Sequence, residues 1–192
     1  MVQVVLAHAC TASHTSVVVL SPTLSMALDG QIDNRTDACL AFERAITKEG
    51  GTMSTENKAL VRRWFEEVWN RGHEAAIDEM FAGHGVVHGL GSDMHGPEGF
   101  KPFHAAYRNA FPDVTIQIDD IVAEGDTVAA RWSGTGTHRG DGLGVAATGN
   151  RVHFSGMTFV RIEQGKMVEG WNNFDQLGML QQLGAVNLHF AV

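Results

Sequence analysis

The sequence has few cysteines and no long apolar run, and both features narrow the class of protein. Its two cysteines, Cys10 and Cys39, precede residue 50, so a disulfide could tie this segment to itself but could not cross-link the rest. We interpret them as free thiols in a reducing cytoplasm. Apolar runs such as Val17–Leu20 are far shorter than the roughly 20 residues needed to span a bilayer. We expect a soluble cytoplasmic protein with no membrane partner.

Positive charge is also scarce. The chain has 14 Lys and Arg against 22 Asp and Glu, which gives a net charge of −8, and no basic run offsets this excess. Because a phosphate backbone would on average be repelled, nucleic acid is not an expected partner.

The sequence lacks the motifs that mark metal, phosphate and covalent chemistry. It has no HExxH motif and no cysteine pair with zinc-finger spacing. The Gly-rich segment 140–144 lacks the preceding strand and the following helix that a phosphate loop requires. There is no serine elbow and no catalytic-cysteine motif. We therefore expect neither a metal nor a cofactor, and acid/base chemistry fits best.

The chain changes character at Met53. Residues 1–52 show no sustained periodicity beyond one short helix near 37–46, so we predict a weakly ordered N-terminal extension. The domain is predicted at 53–186, with Ser54 or Thr55 as the first helix cap, and 187–192 form a C-terminal tail. A chain that starts at Met53 is expected to be as stable as the full chain.

Three helices are predicted in the first half of the domain. Apolar residues at three- and four-residue spacing run through 56–70, and the pattern stops before Gly72. A short helix follows at about 74–81. The third helix is predicted at 97–111, with Pro97 in its first turn and Pro112 directly after its end.

The second half of the domain alternates apolar and polar residues, which predicts strands. The runs 114–119 and 128–138 flank a Gly125-Asp126 turn, and two further strands are predicted at 151–163 and 166–174. Three helices followed by an antiparallel meander indicate an α+β domain, in which the helices wrap a curved antiparallel sheet.

Several short motifs follow one another in order along residues 53–185. They include Ala110-Phe-Pro-Asp113, Glu124-Gly-Asp126, Gly136-Thr-His138, Gly165-Lys-Met-Val-Glu169 and Leu177-Gly-Met-Leu-Gln-Gln-Leu-Gly184. In order and spacing this series resembles the SnoaL-like polyketide cyclases, also called ester cyclases. The resemblance implies an α+β cone of the nuclear transport factor 2 and ketosteroid isomerase type, with a single apolar pocket. It also implies a homodimer formed through the outer face of the sheet.

Asp175 is the first candidate catalytic residue. It ends a Trp-x-x-x-Asp segment, and the resemblance implies that it is the general acid/base of the site. Trp171, Asn173 and Asp175 share strand parity, so all three are predicted to point into the cone. A carboxylate beside an indole in an apolar pocket would have a raised pKa, which suits proton transfer. Alternatively, Asp175 caps the terminal helix by accepting hydrogen bonds from backbone N–H groups.

His88 is the second candidate catalytic residue, because the resemblance implies a cavity-facing histidine there and its ordinary pKa lies near neutrality. The alternative is a loop histidine bound to the backbone. The predicted substrate-binding residues would line a pocket for a flat apolar compound, although each would equally serve as core. They are Trp171, Asn173, His104, Tyr107, Trp132, Met157 and Phe159. For His104, a core or pocket-wall role is favoured over catalysis.

These residues predict a cofactor-free cyclase or isomerase of the intramolecular aldol type, acting on a small hydrophobic carbonyl compound. A polyketide enolate is delocalised, so its ring closure needs little beyond positioning and one well-placed base. Two alternatives stay open. One is a small-molecule binding protein without turnover, and the other is a hydrolase or dehydratase on the same cone.

Overall fold

The structure is a computed structural model, and it describes residues 51–186. The predictions for the short helix near 37–46 and for the tail 187–192 lie outside the described residues, and the domain boundary at Met53 stays a prediction. Within residues 51–186, no helix is both long enough and apolar enough to cross a membrane.

The first helix, α1, covers residues 51–64 and continues as a π-helical turn at Phe65–Asn70. Its buried stripe confirms the predicted pattern, with Val61, Phe65 and Val68 facing the core. The predicted cap at Ser54 or Thr55 is wrong, because both residues lie inside the helix. The helix already includes residues 51 and 52, so a polar residue near the start of an apolar stripe does not mark its first turn.

Two more helices precede the meander. Helix α2 spans Ala75–Met80, and α3 spans Gly96–Ala110. Helix α3 begins where predicted, since Pro97 occupies its first turn, and it ends just before Pro112. A short terminal helix, α4, spans Gln176–Gln182.

Six strands form one sheet, and four of them are the predicted meander. The meander strands are β3 (Thr115–Glu124), β4 (Thr127–Thr137), β5 (Arg151–Glu163) and β6 (Lys166–Phe174), each antiparallel to the next. The bounds of β5 and β6 agree with the prediction.

Two strands were not predicted from the sequence. Strand β1 (Phe81–His88) pairs in parallel with β6, and β2 (Met94–His95) pairs antiparallel with β1. The sheet order is β2-β1-β6-β5-β4-β3. The predicted α+β class is confirmed, and the sheet is mixed rather than wholly antiparallel.

The two faces of this sheet differ in what covers them. Helices α1 and α3 pack over the inner face, where Val128, Ala130 and Trp132 of β4 are buried in the main core. The outer face carries an exposed row in which Ala129 lies opposite Phe159, and Phe159 lies opposite Trp171. The pocket-forming side of the domain is therefore the face under α1 and α3.

Candidate functional site

A cavity lies between the inner face of the sheet and helices α1 and α3. Its volume is about 90 Å³. Its lining is dominated by aromatic rings from both helices and from the sheet: Trp64, Phe65, Trp69, Phe81, Phe100, Phe103, Tyr107, Phe111, Trp132, Phe154 and Phe174. Concave, mostly apolar spaces of this kind are the usual binding sites of small molecules.

Glycines on the inner face make room for these rings. A side chain at Gly134 would come within 2.7 Å of the Phe154 ring, and one at Gly156 within 2.6 Å of the Trp132 ring. Because these strand positions have no side chain, the aromatic rings of neighbouring strands can lie flat across them. The sheet thus presents broad ring surfaces to the cavity.

One wall of the cavity carries a chain of hydrogen bonds. The Trp132 indole Nε1–H donates to Thr158 Oγ1 at 2.9 Å, and the Thr158 hydroxyl donates to Asn172 Oδ1 at 2.8 Å. All three residues line the cavity, and Thr158 is 8% exposed. Gly89 packs against this segment so closely that any side chain there would collide with the Asn172 carbonyl oxygen. The backbone at Asn172 is therefore held from behind by the loop after β1.

Tyr107 is the second polar group of the cavity. Its ring lies 4.6 Å from that of Phe103 and 6.1 Å from that of Phe174, measured between centroids. All three rings are half-buried and line the cavity. Burial raises the pKa of Tyr107 to about 12, because the phenolate would lose its hydration. At neutral pH the phenol is protonated and can donate a hydrogen bond.

His88 lies away from the cavity, so the predicted cavity-facing role is wrong. It is the last residue of β1, and its ring stacks on Trp171 at 5.5 Å between centroids. Its Nδ1 lies 2.9 Å from Asp93 and its Nε2 lies 3.3 Å from Glu169. Hydrogen bonding to Asp93, and then to Glu169, raises the pKa of His88. The ring belongs to a charged cluster at the outer face.

Glu169 borders the cavity, but its carboxylate is engaged elsewhere. It accepts hydrogen bonds from Arg161 Nη2 at 3.1 Å and contacts the His88 ring, and Arg161 shares the outer face of β5 with Phe159. The Arg161 guanidinium holds the pKa of Glu169 below its ordinary range. A carboxylate bound in this way is a poor base, and it does not serve the cavity.

Asp175 caps a helix, and the prediction that it points into the cone is wrong. Its Oδ1 accepts the backbone N–H of Gly178 at 2.8 Å, and the residue is exposed at the start of α4. The alternative interpretation, an N-terminal cap, is the one that the structure supports.

Four predicted pocket residues lie on the outer face instead. Trp171 and Asn173 of β6 and Met157 and Phe159 of β5 are all exposed, with Met157 at 63%. Met157 lies opposite Asn173, and Phe159 lies opposite Trp171, so all four side chains are on the same face of the sheet. Because the prediction took this face as the inner one, all four residues were predicted on the wrong side together. The inner face of these strands carries Phe154, Thr158 and Val160, then Gly170, Asn172 and Phe174.

The remaining candidates lie on the inner side. Trp132 and Tyr107 line the cavity, and their contact with a substrate stays a prediction. His104 is 3% exposed and belongs to the core, where its Nε2–H donates to the Val68 carbonyl at 2.8 Å. Burial lowers the pKa of His104, because the imidazolium would be desolvated.

The sequence analysis missed Thr158 and Asn172. The sequence did contain a pattern that predicts Thr158 on the inner face. The even-numbered residues of β5 include the apolar Val152, Phe154, Val160 and Ile162, and Thr158 shares their strand parity. Among residues 51–186, no group of three His, Cys, Asp or Glu side chains is placed to hold a metal ion.

A sheet wrapped by helices around an aromatic cavity defines an α+β cone domain. The model of the SnoaL-like polyketide cyclase family matches residues 59–183, and this chain belongs to that family. The cone fold expected from the sequence motifs is thereby confirmed. None of the curated proteins matches the sequence.

Solved structures support the same assignment. AclR, a candidate hydroxylase from Streptomyces galilaeus, is 29% identical with a TM-score of 0.64, over 70% of this chain and 88% of its own. IdmH, a candidate polyketide cyclase from Streptomyces antibioticus, is 29% identical with a TM-score of 0.59, over 67% and 98%. A candidate SnoaL-like cyclase from Jannaschia sp. CCS1, 24% identical with a TM-score of 0.65 over 70% and 96%, shares the fold.

Proposed function

We propose that this protein is a cofactor-free cyclase or isomerase that binds a flat, hydrophobic carbonyl compound in the aromatic cavity. The observation that carries the proposal is the cavity itself, whose lining is nearly all aromatic or aliphatic apart from one hydrogen-bonding wall, the Tyr107 phenol and Glu169, whose carboxylate is bound by Arg161. Aromatic faces favour a planar ligand, and the few polar groups would orient its oxygen atoms. Family membership and the relation to IdmH support this class of substrate.

Enclosure is the main catalytic contribution that we assign to the cavity. In ring closure of a β-keto chain, an α-C–H loses its proton to solvent water, the enolate carbon attacks a second carbonyl carbon, and the resulting alkoxide takes a proton back from water. The two carbons must be held together throughout, and a tight apolar space supplies that proximity. The protonated Tyr107 would stabilise developing charge on a substrate oxygen by hydrogen bonding. Asp175 and His88, proposed from the sequence as acid and base, lie outside this space.

A second candidate function is binding without turnover. It is favoured by the position of the ionisable groups: within the described residues, the carboxylate of Glu169 is bound on the outer face, and His88 and His104 do not line the cavity. A cavity without a free carboxylate or imidazole is suited to holding a ligand. The two candidates share the same ligand class and differ in turnover.

Gly170 provides a direct test of ligand binding. It lines the cavity, and a side chain there would meet its nearest neighbour, the Asn172 amide nitrogen, at an ordinary 3.9 Å. Gly170→Leu should fill the cavity and weaken binding of aromatic β-keto esters about tenfold or more, measured by tryptophan fluorescence. Gly83→Leu is the control, because Gly83 lies outside the cavity with open space around it.

The outcomes separate the candidates. Loss of binding in Gly170→Leu alone, together with product formation by the unmodified protein, supports the cyclase or isomerase. Binding that the cavity-filling change abolishes, without any product, supports the second candidate. Equal binding by both variants would contradict both candidates, since the ligand would then lie elsewhere.

We also propose a homodimer as the working form. The support is the outer face, where Val122 of β3, Met157 and Phe159 of β5 and Trp171 of β6 expose large apolar side chains. Such surfaces are commonly buried by a partner, and a second copy offers the same self-complementary face.

A further inference from the structure

The hydrogen bonds between Trp132, Thr158 and Asn172 have a fixed direction. An indole N–H can only donate, so the oxygen of Thr158 accepts the hydrogen bond from Trp132 Nε1. The single hydroxyl proton of Thr158 then points to Asn172 Oδ1. The amide oxygen of Asn172 is thereby occupied, and its NH₂ group is left to face the cavity.

The opposite orientation of the Asn172 amide is disfavoured. With the amide turned over, its NH₂ group would donate to Thr158, and the hydroxyl proton would have to find another acceptor. Thr158 is buried, and within residues 51–186 its hydroxyl donates to Asn172 alone. Leaving a buried hydroxyl proton without an acceptor is costly.

Asn172 Nδ2 lies above a position without a side chain. A Cβ at Gly170 would be 3.9 Å from this nitrogen and would have no closer neighbour. Asn172 and Gly170 share the inner strand face, and both line the cavity. No hydrogen bond from Asn172 Nδ2 to another described residue is present, so its two N–H bonds are available to a ligand beside Gly170.

We propose that Trp132 and Thr158 are positioning residues that hold Asn172 as a hydrogen-bond donor, so that the cavity selects ligands with an acceptor oxygen at this wall. The ligand class is an aromatic ketone, ester or quinone, and its enolate would bind more strongly because hydrogen bonds to a charged oxygen are stronger. This inference rests on the proposed function, since it requires that the cavity binds apolar carbonyl compounds.

A matched pair of ligands tests the selection. 2-Acetylnaphthalene and 2-isopropylnaphthalene have nearly the same shape, and only the first carries an acceptor oxygen. The unmodified protein should bind the ketone about tenfold more tightly, which is the value of one neutral hydrogen bond. Thr158→Val removes the hydroxyl at similar volume, so it should abolish this preference while affinity for the hydrocarbon is kept.

Three further variants control the experiment. Thr158→Ser keeps a hydroxyl and should retain the preference for the ketone. Thr135→Val removes a hydroxyl from the outer side of β4, where Thr135 accepts from Arg151, and should change nothing. If Thr158→Val folds poorly, Asn172→Leu replaces it, because removal of the donor should also abolish the preference.

The hydrogen bond from Trp132 to Thr158 can be tested without any ligand, by the nuclear magnetic resonance chemical shift of the Trp132 indole N–H. The protein has four tryptophans, and the indole N–H signal of Trp132 can be assigned by its loss in Trp132→Phe. This signal should shift strongly in Thr158→Val and little in Thr158→Ser.

The results distinguish failure of this inference from failure of the proposed function. Equal binding of both ligands by the unmodified protein, or a preference that survives in Thr158→Val and Asn172→Leu, would overturn the selection. An indole signal that Thr158→Val leaves in place would overturn the positioning role. If neither naphthalene compound binds while the indole signal shifts as expected, the hydrogen-bond chain stands and the proposed function fails.

Discussion

Phe159 and Trp171 lie directly opposite each other on the outer face of the sheet, with ring centroids 6.0 Å apart at an edge-to-face angle of 66°. The row continues through Ala129 to Val122, and at its other end His88 stacks on Trp171. Phe159 is nevertheless 49% exposed and Trp171 is 41% exposed. These two large rings contact each other and still face solvent, and the proposed homodimer would bury them.

The first prediction concerns this row. Phe159→Asp should convert a dimer of about twice 20.8 kDa into a monomer, because a carboxylate at the centre of an apolar interface would be desolvated. Light scattering at micromolar concentration measures the mass. Gln117→Asp is the control, since Gln117 is exposed on β3 outside the row. An unmodified protein that is monomeric would contradict the homodimer.

The second prediction separates the two interpretations of Asp175. Asp175→Ala removes the cap on Gly178 N–H and should lower the free energy of unfolding by about 1 kcal/mol, whereas Asp175→Asn should cost much less because asparagine also caps well. Denaturant unfolding gives both values. Ligand binding and any turnover should be unchanged in both variants. A loss of turnover in Asp175→Asn at full stability would restore a catalytic role.

The third prediction concerns the buried imidazole of His104. Its pKa is lowered by burial from the ordinary value of 6.5, so the unfolded chain takes up a proton before the folded protein does as the pH falls. The resulting stability is present above pH 6.5 and is lost as the pH falls through the pKa of the folded protein.

His104→Gln tests this pH dependence, because glutamine can still donate to the Val68 carbonyl but does not titrate. The free energy of unfolding, measured between about pH 7 and pH 5, should fall more steeply in the unmodified protein than in the variant. Parallel curves would show that His104 binds its proton equally well in both states.

The fourth prediction concerns His88 at the outer face. Its pKa is raised from 6.5, chiefly by the hydrogen bond that its Nδ1–H donates to Asp93, so Asp93→Asn should lower the pKa that its ring carbons report by nuclear magnetic resonance. The contribution of these contacts to stability is complete below pH 6.5 and is lost as the pH rises through the raised pKa. Asp126→Asn, at an exposed turn, should leave the titration of His88 unchanged.

The bounds of strands β5 and β6 could be predicted because the two sequence features that mark them, alternating residues and a glycine turn, are local. Residues alternate along 151–163 and 166–174, and Gly165 between them has a φ of 73°, a conformation that glycine adopts readily. A period of two identifies two faces, however, and does not say which of them is buried.

The inner face was misassigned because glycines weaken its apolar signal. Gly156 and Gly170 lie on the inner face, where the Trp132 ring occupies the space beside Gly156 and the cavity lies beside Gly170, whereas Met157, Phe159 and Trp171 are large, apolar and exposed. Counting hydrophobicity therefore favours the wrong face. The proposed donor Asn172 was hidden by the same effect, and Asp175 was placed inside the cone with the residues of the outer face.

Strand β1 was missed for a different reason. Gly83 and Gly85 interrupt its alternation, and its parallel partner lies far along the chain, since Val86 pairs with Glu169 and His88 pairs with Trp171. Parallel strands so far apart in the chain are not joined by a hairpin turn. The sequence around β1 therefore contains no turn motif that would identify its partner strand.

The parallel pairing of β1 with β6 also affects folding during synthesis, because β1 is made well before its partner strand. The chain emerges from its N-terminal end, so β1 leaves the ribosome long before β6, the final strand of the sheet, has been made. Until then the apolar residues Phe81 and Val87 lack their ladder partners on β6, and the cavity wall that contains Asn172 has not been made. A nascent chain of this protein therefore carries an unpaired sheet edge while residues 89–165 are synthesised, and truncated translation products should aggregate or be captured by chaperones.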